Sequence, residues 1–105
     1  MALERTVSIA SLDDGRPTTC TLSDGSVVCL VRTGDEVYAI GDRCSHADFP
    51  MSEGDMVDDH VIECPLHGAQ FDVRTGGALE LPATEPIPTY HVEVVEGHVW
   101  VRRGV

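Results

Sequence analysis

The sequence predicts an all-β fold, an antiparallel β sandwich or small barrel, and three observations carry that expectation. Eight short runs are rich in β-branched residues or alternate apolar with polar side chains, and Gly-containing dipeptides separate several of them. No segment longer than a turn repeats apolar residues at helical spacing between capping residues.

Thr6 to Ile9 and Thr18 to Leu22 are the first two predicted strands. Asp24-Gly25 then leads into Val27 to Val31; read as a two-residue hairpin loop, it sets Cys20 directly opposite Cys29. Opposed cysteines at such a pair can form a disulfide, but in a reducing compartment they read as two small buried residues. Gly34-Asp35 turns the chain into Glu36 to Ile40. His60 to Glu63 and Ala69 to Val73 follow as shorter strands, and Tyr90 to Val95 pairs with His98 to Arg102 around Glu96-Gly97. The length, 105 residues, suits a single domain over 1–105 with one modest core.

Charge narrows the function classes. Asp+Glu 18 against Lys+Arg 7 gives a formal net charge of −11. Such a field repels nucleic acid and anionic membranes, and steers the protein toward basic faces of partners at a rate that falls as salt rises. No apolar run approaches the roughly eighteen residues a membrane span needs, and Met1-Ala2-Leu3-Glu4-Arg5 has no signal-peptide pattern, so a soluble, cytoplasmic protein is expected.

The chemistry-bearing residues concentrate in two segments. Cys44-Ser45-His46 and Cys64-Pro65-Leu66-His67 each set a thiolate and an imidazole close together, seventeen residues apart. Both lie in turn-like sequence, after Gly41-Asp42-Arg43 and around Pro65 and Gly68. Two thiolates and two imidazoles satisfy a tetrahedral zinc ion, and equally a [2Fe–2S] centre in which the Cys pair holds one iron and the His pair the other. Zinc modules usually space their Cys ligands by two or more residues and carry the His pair on a helix. Here each segment offers one Cys and one His, which suits two irons side by side. His60, His91 and His98 have no Cys or carboxylate at ligand spacing and read as surface or strand-edge residues. Trp100, in the last strand, reads as a packing residue.

The residues around the ligands add a resemblance. Cys44-Ser45-His46 with Pro50, then Cys64-Pro65-Leu66-His67-Gly68-Ala69-Gln70-Phe71-Asp72, resemble the two cluster-binding boxes of Rieske proteins, and most closely the Rieske-type ferredoxins of ring-hydroxylating dioxygenase systems. Arg74-Thr75-Gly76 and the stretch Pro82 to Pro88 are similar to that family's turn and third, cluster-shielding loop, and the likeness runs from about Val27 to Val101. It implies the family's fold, that of the Rieske iron–sulfur proteins (ISP-like), with a cluster-binding subdomain at about 42–75. It also implies one [2Fe–2S] cluster on Cys44, His46, Cys64 and His67. Each His is expected to ligate through one ring nitrogen and leave the other at the surface.

Two departures within the family are informative. Phe49 and Leu66 stand where the Rieske proteins of respiratory and photosynthetic complexes carry a loop-clamping disulfide, and Ala69 and Phe71 stand where those proteins carry hydroxyl donors to the cluster. Each lost donor removes stabilisation of the reduced centre, so the potential should lie near the low end of the Rieske span, roughly −150 mV. The resemblance implies a carrier between an NAD(P)H-dependent flavin reductase and a terminal non-haem iron oxygenase acting on aromatic rings. It implies no enzyme in its own right, because 105 residues leave no room for the oxygenase's 2-His-1-carboxylate iron domain. Two other roles stay open: a small subunit of a nitrite reductase type complex, and an accessory protein in iron–sulfur cluster assembly or redox sensing.

Overall fold

Val27-Val28-Cys29-Leu30-Val31 is apolar at every position, a pattern suited to a strand covered on both faces. In the computed structural model, which describes residues 3–43, 49–65, 68–80 and 85–103, this run lies in a wall shared by two hydrophobic cores. The strands in chain order are β1 (Glu4–Ser8), β2 (Thr18–Thr21), β3 (Val27–Thr33), β4 (Glu36–Gly41), β5 (Asp55–Asp58), β6 (Val61–Glu63), β7 (Gln70–Asp72), β8 (Ala78–Glu80), β9 (Thr89–Val95) and β10 (His98–Arg103). They form a six-stranded sheet in the order β1-β10-β9-β4-β3-β2 and a four-stranded sheet in the order β5-β6-β7-β8, with antiparallel pairing throughout.

The larger sheet curls into a near-closed barrel. Glu4 on β1 closes the seam by accepting the Ser23 backbone N–H at 2.9 Å and the Ser23 hydroxyl at 2.8 Å. Val28, Leu30, Val37, Ala39, Val99 and Val101 fill the interior. On the other face of β3 and β4, Cys29, Val31 and Ile40 pack against Ile62 and Phe71 of the smaller sheet and Val73 just after β7. Side chains alternate across a strand, so one apolar run feeds both cores. The Thr33 hydroxyl, donating to the Asp59 carbonyl at 2.8 Å, ties the two sheets at the far end.

All eight strand expectations correspond to observed strands within a few residues. Thr33 faces Glu36 across Gly34-Asp35, and Val95 faces His98 across Glu96-Gly97, as two-residue hairpins require. Two strands escaped the sequence reading. Both β5 and β8 are short edge strands of the small sheet with an irregular register, and Ala78-Leu79-Glu80 contains no β-branched residue. Among the described residues no helix is long and apolar enough to cross a membrane.

The register of the β2–β3 hairpin corrects one expectation. Thr21 pairs with Val27 and Leu22 donates its N–H to the Ser26 carbonyl at 2.8 Å, so the loop is the three-residue Ser23-Asp24-Gly25. Cys20 therefore faces Val28, and Cys29 faces Thr19. One residue of slip sends the two thiols to opposite faces of the sheet, Cys20 toward the barrel interior and Cys29 into the second core, which rules out a disulfide between them.

Burial pushes the Cys29 thiol up to about 12, with the negative charge of Asp42 adding to the shift and a hydrogen bond from the Thr18 backbone opposing it. Because the folded value exceeds the ordinary 9.0, this thiol's contribution to stability is complete below about pH 9 and is lost as pH climbs toward 12. At pH 8 the group is a neutral thiol inside a core. Mass spectrometry after iodoacetamide treatment at that pH is expected to find Cys29 unmodified in the native protein and alkylated once the chain is unfolded.

Candidate metal centre

The first candidate ligand segment follows the end of β4. Arg43 bridges Pro50 in antiparallel fashion and Met51 donates its N–H to the Asp42 carbonyl at 3.1 Å, which ties together the chain on the two sides of this segment. A short 3-10 turn over Met51–Glu53 carries the chain back toward β5. The second segment sits between β6 and β7. There Glu63 pairs with Gln70, and Cys64 donates its N–H to the Ala69 carbonyl at 2.7 Å, which ties together the chain on the two sides of the segment.

Cys64 lies at that base with no solvent exposure, in one cluster with Met51, Ala69, Phe71 and Ile87. Phe49, from the first loop, packs against the same cluster. Cys44, His46 and His67 lie outside the described residues, as do Leu66 and the 81–84 part of the Pro82 to Pro88 stretch. The bases of both segments are thus built on one core, and the described chain before and after the candidate ligands Cys44, His46 and His67 is fixed by backbone pairing. The buried Cys64 thiol at the root of one segment, beside the base of the other, is a soft donor of the kind that an iron–sulfur cluster would take.

Two glycines make the convergence sterically feasible. A Cβ at Gly54 would stand 2.3 Å from the Glu63 carbonyl oxygen, so the return limb of the first loop touches the backbone just before Cys64. A Cβ at Gly76 would stand 1.9 Å from the Ile87 carbonyl oxygen, and Ile87 donates its N–H to the Gly76 carbonyl at 2.8 Å. Ile87 is almost wholly buried in the cluster that holds Cys64, so the 85–88 segment is pinned over the small sheet. Gly41 fixes its other end by donating to the Pro88 carbonyl at 2.9 Å.

Positions 69 and 71 are fully buried and offer no hydroxyl. Arg74 closes the turn after β7 by donating from its backbone N–H (2.8 Å), Nε (3.1 Å) and Nη2 (2.9 Å) to the Asp72 carboxylate, which its guanidinium holds below the usual carboxylate range. The remaining histidines stay apart from the loops' bases. His60 stands edge-on to Tyr38 at 5.5 Å and His98 is half-buried opposite Val95, while His91, expected to lack a carboxylate at ligand spacing, in fact pairs with Glu93 at 2.9 Å because residues two apart share a strand face. Trp100 is half-buried on β10, facing Glu93 and Arg5 across the sheet. Sequence reasoning missed the residues that hold the loops. Gly54 and Gly76 resemble ordinary loop glycines, and only the close backbone approach distinguishes them.

Comparison with known proteins places this architecture. The family model of the Rieske [2Fe-2S] domain matches residues 5–91. The 3-phenylpropionate/cinnamic acid dioxygenase ferredoxin subunit of Escherichia coli (strain K12) is 52% identical over 75 residues, 71% of this chain and 71% of that protein. The ferredoxin of carbazole 1,9a-dioxygenase from Nocardioides aromaticivorans IC177 superposes with a TM-score of 0.91 at 38% identity, covering 99% of this chain and 100% of that one. A second solved structure, a complex of reduced oxygenase and oxidized ferredoxin in carbazole 1,9a-dioxygenase, matches with a TM-score of 0.89 at 32% identity over 98% of this chain and 96% of its partner in the alignment. By a family match over most of its length and by this identity to a ferredoxin subunit, the chain belongs to the Rieske [2Fe–2S] domain family, as a ferredoxin that carries electrons on a [2Fe–2S] cluster and is not itself an enzyme.

Proposed function

We propose that Cys44, His46, Cys64 and His67 hold the cluster, and that the chain takes single electrons from an NAD(P)H-dependent flavin reductase and delivers them to a terminal oxygenase of the ring-hydroxylating class. The observation that carries the partner assignment is the likeness, at 32% identity and over nearly the whole chain, to a ferredoxin solved in complex with its oxygenase. Bound at the two loops, the cluster supplies one-electron storage. The chain's own residues do the rest. Met51, Phe71 and Ile87 seal the inner side of the site from water, Ala69 and Phe71 withhold hydroxyl donors, and the acidic surface favours a basic docking face.

The first test is an electron paramagnetic resonance spectrum of dithionite-reduced protein with iron and sulfide analysis. A rhombic signal with an average g below that of all-cysteine centres is expected, with two irons and two sulfides per chain. Zinc in place of iron, with a silent spectrum, overturns the ligand reading. In His46→Cys and His67→Cys a thiolate replaces a neutral imidazole, so the potential should fall from roughly −150 mV toward the −400 mV or so of all-cysteine plant-type centres. An unmoved potential in both variants removes the histidines from the ligand set. Mixed with reductase, NAD(P)H and oxygenase, the ferredoxin should be required for product, with a rate that drops as ionic strength rises. Undiminished product without it would remove the carrier role.

A further inference from the structure

Each ligand-bearing loop rises from a carboxylate, and each carboxylate reaches across the loop's base to the returning chain. Asp42, two residues before Cys44, accepts the Ser52 backbone N–H on Oδ1 at 2.8 Å and lies 3.2 Å from the Ser52 hydroxyl on Oδ2. Its main chain is held as well, with the carbonyl accepting from Met51 and the N–H donating to Val27 at 3.2 Å. Glu63, immediately before Cys64, accepts from Gln70 Nε2 on Oε2 at 3.0 Å. The same oxygen lies 4.0 Å from where a Cβ of Gly68, in the loop tip, would stand.

Both carboxylates are half-buried, and among the described residues neither forms a salt bridge. Their geometry is set by hydrogen bonds that leave the negative charge in place. The field of Asp42 reaches the shared core, where it adds to the upward push on the Cys29 thiol, and Cys29 belongs to the same cluster of buried residues as Cys64. A half-buried charge is screened by salt less than an exposed one, so its effect on a neighbouring redox centre persists in solution. Its sign opposes the arriving electron.

We propose that Asp42 and Glu63 are a matched pair of positioning residues that brace the two ligand loops and, through their charge, hold the reduction potential of the cluster low. This rests on Cys44 and Cys64 as ligands. It adds an electrostatic contribution from the loop bases to the absence of hydroxyl donors at positions 69 and 71.

Charge and geometry can be separated by substitution. Asp42→Asn and Glu63→Gln keep the size and most of the hydrogen bonding but remove the charge, whereas Ser52→Ala keeps the Asp42 charge and removes a donor. Asp35→Asn, on the exposed β3–β4 turn, is the remote control. In the cluster-loaded protein, each amide variant is expected to retain full iron and sulfide. Each should shift the one-electron equilibrium threefold to tenfold toward the reduced form, up to about 59 mV, with the double variant showing both shifts. Ser52→Ala and Asp35→Asn should leave the potential in place. Full cluster content with unmoved potentials in both amide variants would reduce the pair to structural braces and overturn the proposal. Loss of iron from the amide variants would overturn it too, because the charge would then serve assembly and not potential. Iron missing from the unsubstituted protein would strike the ligand assignment instead, and that measurement precedes the variants.

Discussion

Gly54→Ala is expected to strip the cluster from the protein while leaving the six-stranded barrel folded. The added Cβ would meet the Glu63 carbonyl oxygen at 2.3 Å and the Met51 carbonyl oxygen at 3.1 Å, and both are backbone atoms that cannot swing aside as a flexible side chain can. Gly54 also donates its N–H to Met51 at 2.9 Å, so the short turn that returns the first ligand loop cannot shift alone. The clash is relieved by moving the start of β5 away from the end of β6, which separates the roots of the two loops. Overpacking of this kind costs about 1–3 kcal/mol, small enough for the fold to survive. A two-iron centre held by two loops tolerates far less, because ligand positions fix the bond lengths to the metals. Iron and sulfide per chain, with visible circular dichroism, measure the loss, and far-ultraviolet melting measures the fold. Full cluster content in this variant would show that the loops do not depend on the contact.

Phe71→Ala should produce the largest loss of stability. Among the described residues Phe71 is the largest fully buried side chain, and it sits where β7 packs onto the outer face of β3 and β4 with Ile62, Val73 and Ile87. Emptying such a position costs about 3–5 kcal/mol, against a total stability of roughly 5–15 kcal/mol for a typical domain. The cavity would open in the buried cluster that also holds Cys64, so cluster loss and unfolding should occur together in one transition. Denaturant unfolding followed at once by far-ultraviolet and cluster absorbance tests this. A midpoint within experimental error of the parent protein would mean that the small sheet draws its stability from elsewhere.

These two substitutions fall on residues of different legibility. Phe71 lies in an alternating run beside the second ligand segment, and its burial could be anticipated from the strand pattern. Gly54, between Glu53 and Asp55, looks like an ordinary loop glycine. Its role depends on Glu63, nine residues along the chain, and no local pattern encodes a backbone approach at that separation. Asp42 and Glu63 are similar cases. One reads as a turn residue and the other as the polar end of a strand, until Ser52 and Gln70 are found across the loops. The hairpin at Ser23-Asp24-Gly25 shows how narrow the margin is. The dipeptide Asp24-Gly25 correctly marks a turn, but whether two or three residues form the loop is decided by which faces of β2 and β3 the barrel buries.

Strand periodicity and turn chemistry are local properties, so the all-β class and the positions of most strands can be read along the chain, and residue type marks Cys44, His46, Cys64 and His67 as candidate ligands. No local pattern makes β3 and β4 a wall between two cores, parts Cys20 and Cys29 to opposite faces, or rests the roots of both candidate ligand segments on the Phe71 cluster. Those outcomes depend on packing between segments distant along the chain. Shape and burial, not residue type, choose among the arrangements that the local pattern allows.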